Sequence, residues 1–106
     1  MKVYKIITTK TFEEEFKNIF HYIHFFLKEP ITATKIYNKI LLAISDLILF
    51  PKRNPKFYFN SKNSYKVLRK FLVSNYILIY EINEFSKEIY ILHIFQKNED
   101  YINKLK

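Results

Sequence analysis

The chain is 106 residues long and 49% apolar, has neither glycine nor cysteine, and sets 18 Lys and Arg against 10 Asp and Glu for a formal charge of +8. That is too apolar for a disordered segment, and as one domain over residues 1–106 it can bury roughly 60–70% of its unfolded surface. The missing cysteines exclude disulfides, thiolate metal ligands and a Cys nucleophile, while the positive charge favours an anionic partner.

Residues 3–7 form a short β-prone run. Thr11 then opens a Thr-x-x-Glu capping box with Glu14, and Glu13, Glu14 and Glu15 suit the positive end of a helix dipole. Phe12, Phe16, Ile19, Phe20, Ile23 and Leu27 recur at helical spacing and predict a first amphipathic helix of about 16 residues. Pro30 closes it and starts a second helix, whose apolar stripe is Ala33, Ile36, Tyr37, Ile40, Leu41, Ile44, Leu47 and Ile48. Phe50-Pro51 ends that stripe. The connection is so short that the two helices must form an antiparallel hairpin. Residues 52–64, with two prolines and many polar side chains, read as a loop with at most a short extended piece. Three strands follow, over about 65–73, 76–83 and 87–95, turning at Ser74-Asn75 and at 83–86. The last is apolar on both faces, as a covered strand would be. Residues 97–106 are a polar tail with room for one helical turn. The order β-α-α-β-β-β predicts an α+β fold: a helical hairpin packed on one face of a small, mainly antiparallel sheet of about four strands.

No apolar core follows Met1-Lys2-Val3-Tyr4-Lys5, so no signal peptide is expected. The longest apolar stretch, 40–50, is broken by Ser45 and Asp46 and too short for a bilayer. A cytoplasmic protein without membrane contact is expected. Sixteen of the basic residues are Lys, in a chain also rich in Asn, Ile, Phe and Tyr; that is the mark of AT-rich coding, so local segregation of charge says more than its total. Between Asp46 and Glu81 stand Lys52, Arg53, Lys56, Lys62, Lys66, Arg69 and Lys70 with no acidic residue. The basic, aromatic hairpin at the end of that window reads as a surface for a polyanion. Arg69 stands out because a guanidinium makes bidentate contacts that Lys cannot; a structural salt bridge is the plainer reading. Lys66 and Lys70 read as phosphate contacts or as solvated edge charges. His93, inside the last strand, is either a general acid or base or a hydrogen-bonded structural histidine. Tyr76 and Tyr80 read as packing residues. His21 and His24 lie one turn apart without a third ligand, so no metal or other cofactor is expected.

The ordered set Tyr4-Lys5-Ile6, Ala33-x-x-Ile36-x-x-x-Ile40, Leu47-x-x-Phe50-Pro51, Arg69-Lys70-x-Leu72-Val73-x-Asn75-Tyr76-x-x-x-Tyr80-Glu81, Ile89-x-Ile91-Leu92-x-Ile94-Phe95 and Asp100-Tyr101 resembles the RelE/ParE superfamily of bacterial type II toxins over nearly the whole chain. The resemblance implies a cytoplasmic toxin that inhibits growth when free of a cognate acidic antitoxin, and that reaches operator DNA only through the antitoxin complex. RelE-like members cleave messenger RNA in the ribosome with clustered cations; ParE-like members poison DNA gyrase and lack that cluster. The arginine that usually follows the tyrosine matching Tyr76 is Ile77 here, and the one expected after the last strand is Asn98. The gyrase-directed mode is therefore slightly favoured. The nuclease alternative would use Arg69, His93 and Tyr101 as catalytic residues. Lys66, Arg69, Lys70 and Lys97 are the candidate phosphate or antitoxin contacts in either mode. A third alternative is an inactive module that binds antitoxin and regulates the operator.

Overall fold

The computed structural model describes residues 3–61 and 64–105, with the side chains at 58–65 and 101–102 outside the description. Strand β1 (Lys5–Thr8) leads into helix α1 (Lys10–His21), which runs on through a π-helical turn at Tyr22–Phe26. Helix α2 (Pro30–Asp46) returns beside it with Pro30 in its first turn. Strands β2 (Lys56–Ser61), β3 (Ser64–Val73), β4 (Tyr76–Asn83) and β5 (Glu88–Gln96) follow, and α3 (Tyr101–Lys104) supplies the single helical turn in the tail.

The sheet has five strands in the order β1-β5-β4-β3-β2. Only β1 with β5 is parallel; the other pairs are antiparallel. The fifth strand corrects the four-strand expectation. β2 arises inside the segment read as a loop: once Pro55 is passed, the aromatic run Phe57-Tyr58-Phe59 has strong β preference, and its register pairs Lys56 with Arg69.

Helix α1 also starts earlier than the capping box suggested. Thr9, not Thr11, is the N-cap, its Oγ1 accepting from the Phe12 amide at 3.2 Å. Thr9 prevails because the same hydroxyl is within hydrogen-bonding reach of the Ile91 and Leu92 carbonyls, at 2.9 and 3.2 Å. The cap thus fixes the helix to β5 while it satisfies an orphan amide. With no glycine available, the left-handed positions fall on Lys28, Ser74 and Lys87, each at φ 57°, at a cost of about 1–2 kcal/mol each for an L-residue.

The two helices lie on one face of the sheet. Phe12, Phe16, Ile40, Ile44 and Leu47 pack there against Leu78, Tyr80, Ile89, Ile91 and Ile94. β5 carries a bulge: Ile79 pairs with His93 but Tyr80 with Ile91, leaving Leu92 as the extra residue. The bulge lets Ile91 and Ile94, three apart, both face this core. The opposite face is partly covered. Leu68, Ile77, Ile79 and Phe95 form a second cluster, and Leu105 of the tail packs on it.

β1 covers only residues 88–91 of β5. Beyond it, the Ile94 amide donates to Glu15 Oε1 at 3.1 Å and the Gln96 amide to Glu99 Oε1 at 2.8 Å. Two carboxylates therefore close an edge that would otherwise accept another strand. Among the described residues, no helix is long and apolar enough to cross a membrane.

Candidate functional site

β3 sends alternate side chains to opposite faces of the sheet, and that parity separates the candidate cations. Arg69 pairs with Tyr80 and points to the helix side. Lys66 and Lys70 share the other face with Leu68 and Leu72. Arg69 Nη1 donates to the carbonyls of Lys52 at 3.0 Å and Asn54 at 2.7 Å. Beside it, the fully buried Tyr80 donates its hydroxyl to Pro51 O at 2.6 Å and accepts from Asn54 Nδ2 at 3.2 Å. Burial pushes the Tyr80 hydroxyl above its ordinary pKa, although Asn54, Arg69 and Arg53 pull the other way. Arg69 and Tyr80 thus clamp the loop that leaves α2 from beneath. Tyr76 is likewise buried, with its pKa raised by burial.

Lys70 and Lys97 do converge. Both line a 430 Å³ cavity at the β3 edge, with Asn54, Pro55, Phe71, Leu72 and Ile77. Lys97 also lines an adjoining 540 Å³ cavity with Asn75, Tyr76, Gln96 and Asn98. Positions 77 and 98, where the resemblance implied arginines, lie in these two hollows and offer an isobutyl-sized hydrocarbon and a neutral amide. Lys66 is exposed on the same sheet face but lines neither cavity. His93 belongs elsewhere: its Nδ1 is 3.2 Å from Glu15 Oε2, and its ring stacks on Phe95. The Tyr101 side chain lies outside the description. His24 packs among aromatic rings, 5.4 Å from Phe20 and 4.3 Å from Phe25. Among the described residues, no three His, Asp or Glu side chains group to hold a metal.

The residue the sequence reading passed over is Arg53. Its guanidinium lies 5.8 Å from the centroids of both Phe50 and Phe71, a cation–π arrangement on each ring. The guanidinium chemistry that drew attention to Arg69 applies equally to Arg53. What the sequence did not display was that 53 and 71 meet across β3. Nearby, Glu84 binds Lys52 and Lys87 at 3.1 Å each, and the Tyr4 hydroxyl donates to it at 2.9 Å. Lys87, then Lys52, then Tyr4 hold its carboxyl down at about 2.

A five-stranded sheet under a helical hairpin, with a basic edge, is an architecture shared with solved type II toxins. The solved structures agree on the fold. The chromosomal ParDE toxin–antitoxin system of Pseudomonas aeruginosa is 17% identical, with 88% of this chain and 95% of that chain covered at a TM-score of 0.64. The archaeal RelE–RelB complex of Pyrococcus horikoshii is 15% identical over 92% and 99% of the two chains, at 0.63. The RelBE2 toxin–antitoxin complex of Mycobacterium tuberculosis is 16% identical over 90% and 99%, at 0.57. No curated protein is significantly similar in sequence. Residues 6–101 match the family described as ParE toxin of the type II toxin–antitoxin system parDE. The chain belongs to that family.

Proposed function

We propose that this toxin arrests growth when free of a cognate acidic antitoxin, and that it does so in the ParE-like manner, on DNA gyrase rather than by cutting messenger RNA. The observation that carries the reading is where the Arg69 guanidinium goes and what stands at positions 77 and 98. Cleavage by 2′-hydroxyl attack needs a preorganised cation at the scissile phosphate. Arg69 is committed to the Lys52 and Asn54 carbonyls on the opposite face, and positions 77 and 98 carry no charge. Lys70 and Lys97 are flexible point charges. The match to the ParE family supports the same mode. An antitoxin partner is supported by three similar structures that are all toxin–antitoxin systems; operator DNA would be reached only through that complex.

One observation favours the second reading, a ribosome-dependent endoribonuclease: Lys70 and Lys97 line one cavity. In that reading Arg69, His93 and Tyr101 would carry the chemistry, yet Arg69 and His93 already have structural partners. The deciding experiment puts purified protein into a gyrase supercoiling assay and a translating extract with a reporter mRNA. Inhibited supercoiling with intact message is expected. Efficient cleavage abolished by Arg69→Ala would overturn the gyrase mode, and inactivity in both assays would leave the inactive regulatory module.

A further inference from the structure

The loop after α2 is held rigid from below and presents its outer side to solvent. Its carbonyls at Pro51, Lys52 and Asn54 are taken by Tyr80 and Arg69, and the Arg53 amide closes back on the Phe50 carbonyl at 3.3 Å. On the outer side Leu49, 66% exposed, and Phe50, 58% exposed, are adjacent large apolar side chains on the rim of a hollow. Arg53 lies exposed between the Phe50 and Phe71 rings. A hollow opens on each side of it. One, of 350 Å³, is lined by Tyr4, Leu49, Phe50, Pro51, Lys52 and Arg53. The other is the 430 Å³ cavity walled by Pro55, Phe71, Leu72 and Ile77, with Lys70 and Lys97 beside them. Lys52 is paired with Glu84, but Arg53 has no carboxylate partner among the described residues. No acidic residue occurs from 47 to 80, and the nearby Glu84 carboxylate is already held by Lys52, Lys87 and Tyr4.

We propose that this rigid knuckle, residues 49–53, is a docking site for an acidic segment of a partner protein. Arg53 takes a carboxylate of that segment, and the two hollows take its neighbouring aliphatic side chains. The proposal rests on the antitoxin reading and adds the place and the chemistry of the contact. Charge complementarity selects the occupant. Arg53 and Lys97, neither with a carboxylate partner among the described residues, offer carboxylates a positive surface, while a second copy of this chain would bring +8 of like charge. Nucleic acid fits less well, since a face of each ring is already covered by the guanidinium and Pro55, Leu72 and Ile77 of the larger hollow suit an aliphatic side chain better than a base. A guanidinium fixed on two rings loses little entropy on meeting a carboxylate, and a loop pinned from beneath pays little to order itself. Those are the properties of an interface hot spot.

The probe is a labelled peptide alternating Leu and Glu, followed by fluorescence anisotropy on the full-length toxin. A Leu–Gln peptide and an oligouridylate of the same length serve as comparators. The Leu–Glu peptide should bind best. Arg53→Ala should weaken it about tenfold or more, Arg53→Lys should not restore it, and Lys97→Glu should weaken it by a similar factor. Lys35→Ala, an exposed change on α2 away from both hollows, should leave it unaltered. Equal binding of the Leu–Gln peptide, indifference to Arg53→Ala, or no binding at all would overturn the proposal. Tighter binding of the oligouridylate that is lost with Arg53 would overturn it too, in favour of nucleic acid. Growth arrest by the free chain is scored separately. A chain that arrests growth but binds regardless of Arg53 fails this proposal alone; one that binds through Arg53 without arresting growth fails only the toxin reading.

Discussion

Two arginines in one small chain have opposite duties, and their environments decide which has which. Arg69 is half-buried, its bond to Asn54 is the more sheltered of the two, and charge-assisted bonds of this kind contribute about 1.5–3 kcal/mol. Arg69→Ala should therefore lower the urea midpoint by an amount equivalent to about 1.5–3 kcal/mol. Arg69→Lys should recover only part, because both bonds leave the same Nη1, which lies farther from the backbone than a lysine ammonium can reach. An unchanged midpoint would mean the clamp is idle. Glu84 makes a pH prediction of the opposite kind, at the surface. Its folded-state pKa, about 2, lies below the ordinary 4.5, so its ion pairs stabilise the fold above pH 4.5 and are lost as pH falls towards 2. The carboxylate is half exposed, at 46%, and solvent screening keeps the effect small. Glu84→Gln should flatten the decline in urea midpoint between those two pH values; a slope identical to that of the parent would show that the pairs with Lys52 and Lys87 do not form in solution.

At the scale of elements, the helices and the three closing strands were legible because each has a clean apolar period. β2 was not, because Pro51, Pro55 and the surrounding polar residues outweigh a three-residue aromatic run when the chain is read locally. Its existence depends on a partner, β3, that follows it in the chain. The helix start was misplaced for a related reason: Thr8, Thr9 and Thr11 are all plausible caps, and a contact with β5, some eighty residues later, selects Thr9. Candidate site residues suffered most. Sequence showed a segment of charge, but whether Arg69 faces the helices or the open side is set by strand register, and that one-residue parity placed it with Tyr80. The closed edge of β5 was equally invisible, since Glu15 reads as an ordinary first-turn acid. Its function is testable. Glu15→Ala should expose the Ile94 amide, raising its hydrogen exchange at least tenfold, and should promote self-association by strand addition at that edge. Unaltered exchange at Ile94 would show that the hydrogen bond from the Ile94 amide to Glu15 contributes nothing.

For the molecule as a whole, the helical layer, the sheet and the basic edge leave the nuclease question to two positions. Ile77 and Asn98 line adjoining hollows, yet they are not equivalent. Asn98 is exposed, so Asn98→Arg adds a cation beside Lys97 at little expense in stability. Ile77 is 8% exposed and packs with Leu68, Ile79 and Phe95. Arginine there must snorkel past that cluster or bury a charge, and several kcal/mol of destabilisation is the expected result. Packing at 77 therefore occupies a place that a cationic cluster would need, so the absence of arginine there is a property of the core, whereas position 98 is a surface site. In a translating extract the parent chain should leave the message intact, and Asn98→Arg should fold normally and still not cleave. Adding Ile77→Arg should lower the melting temperature before it confers any activity. A stable double variant that cleaves efficiently would show that the second cluster is dispensable and that the fold is poised for RNA chemistry.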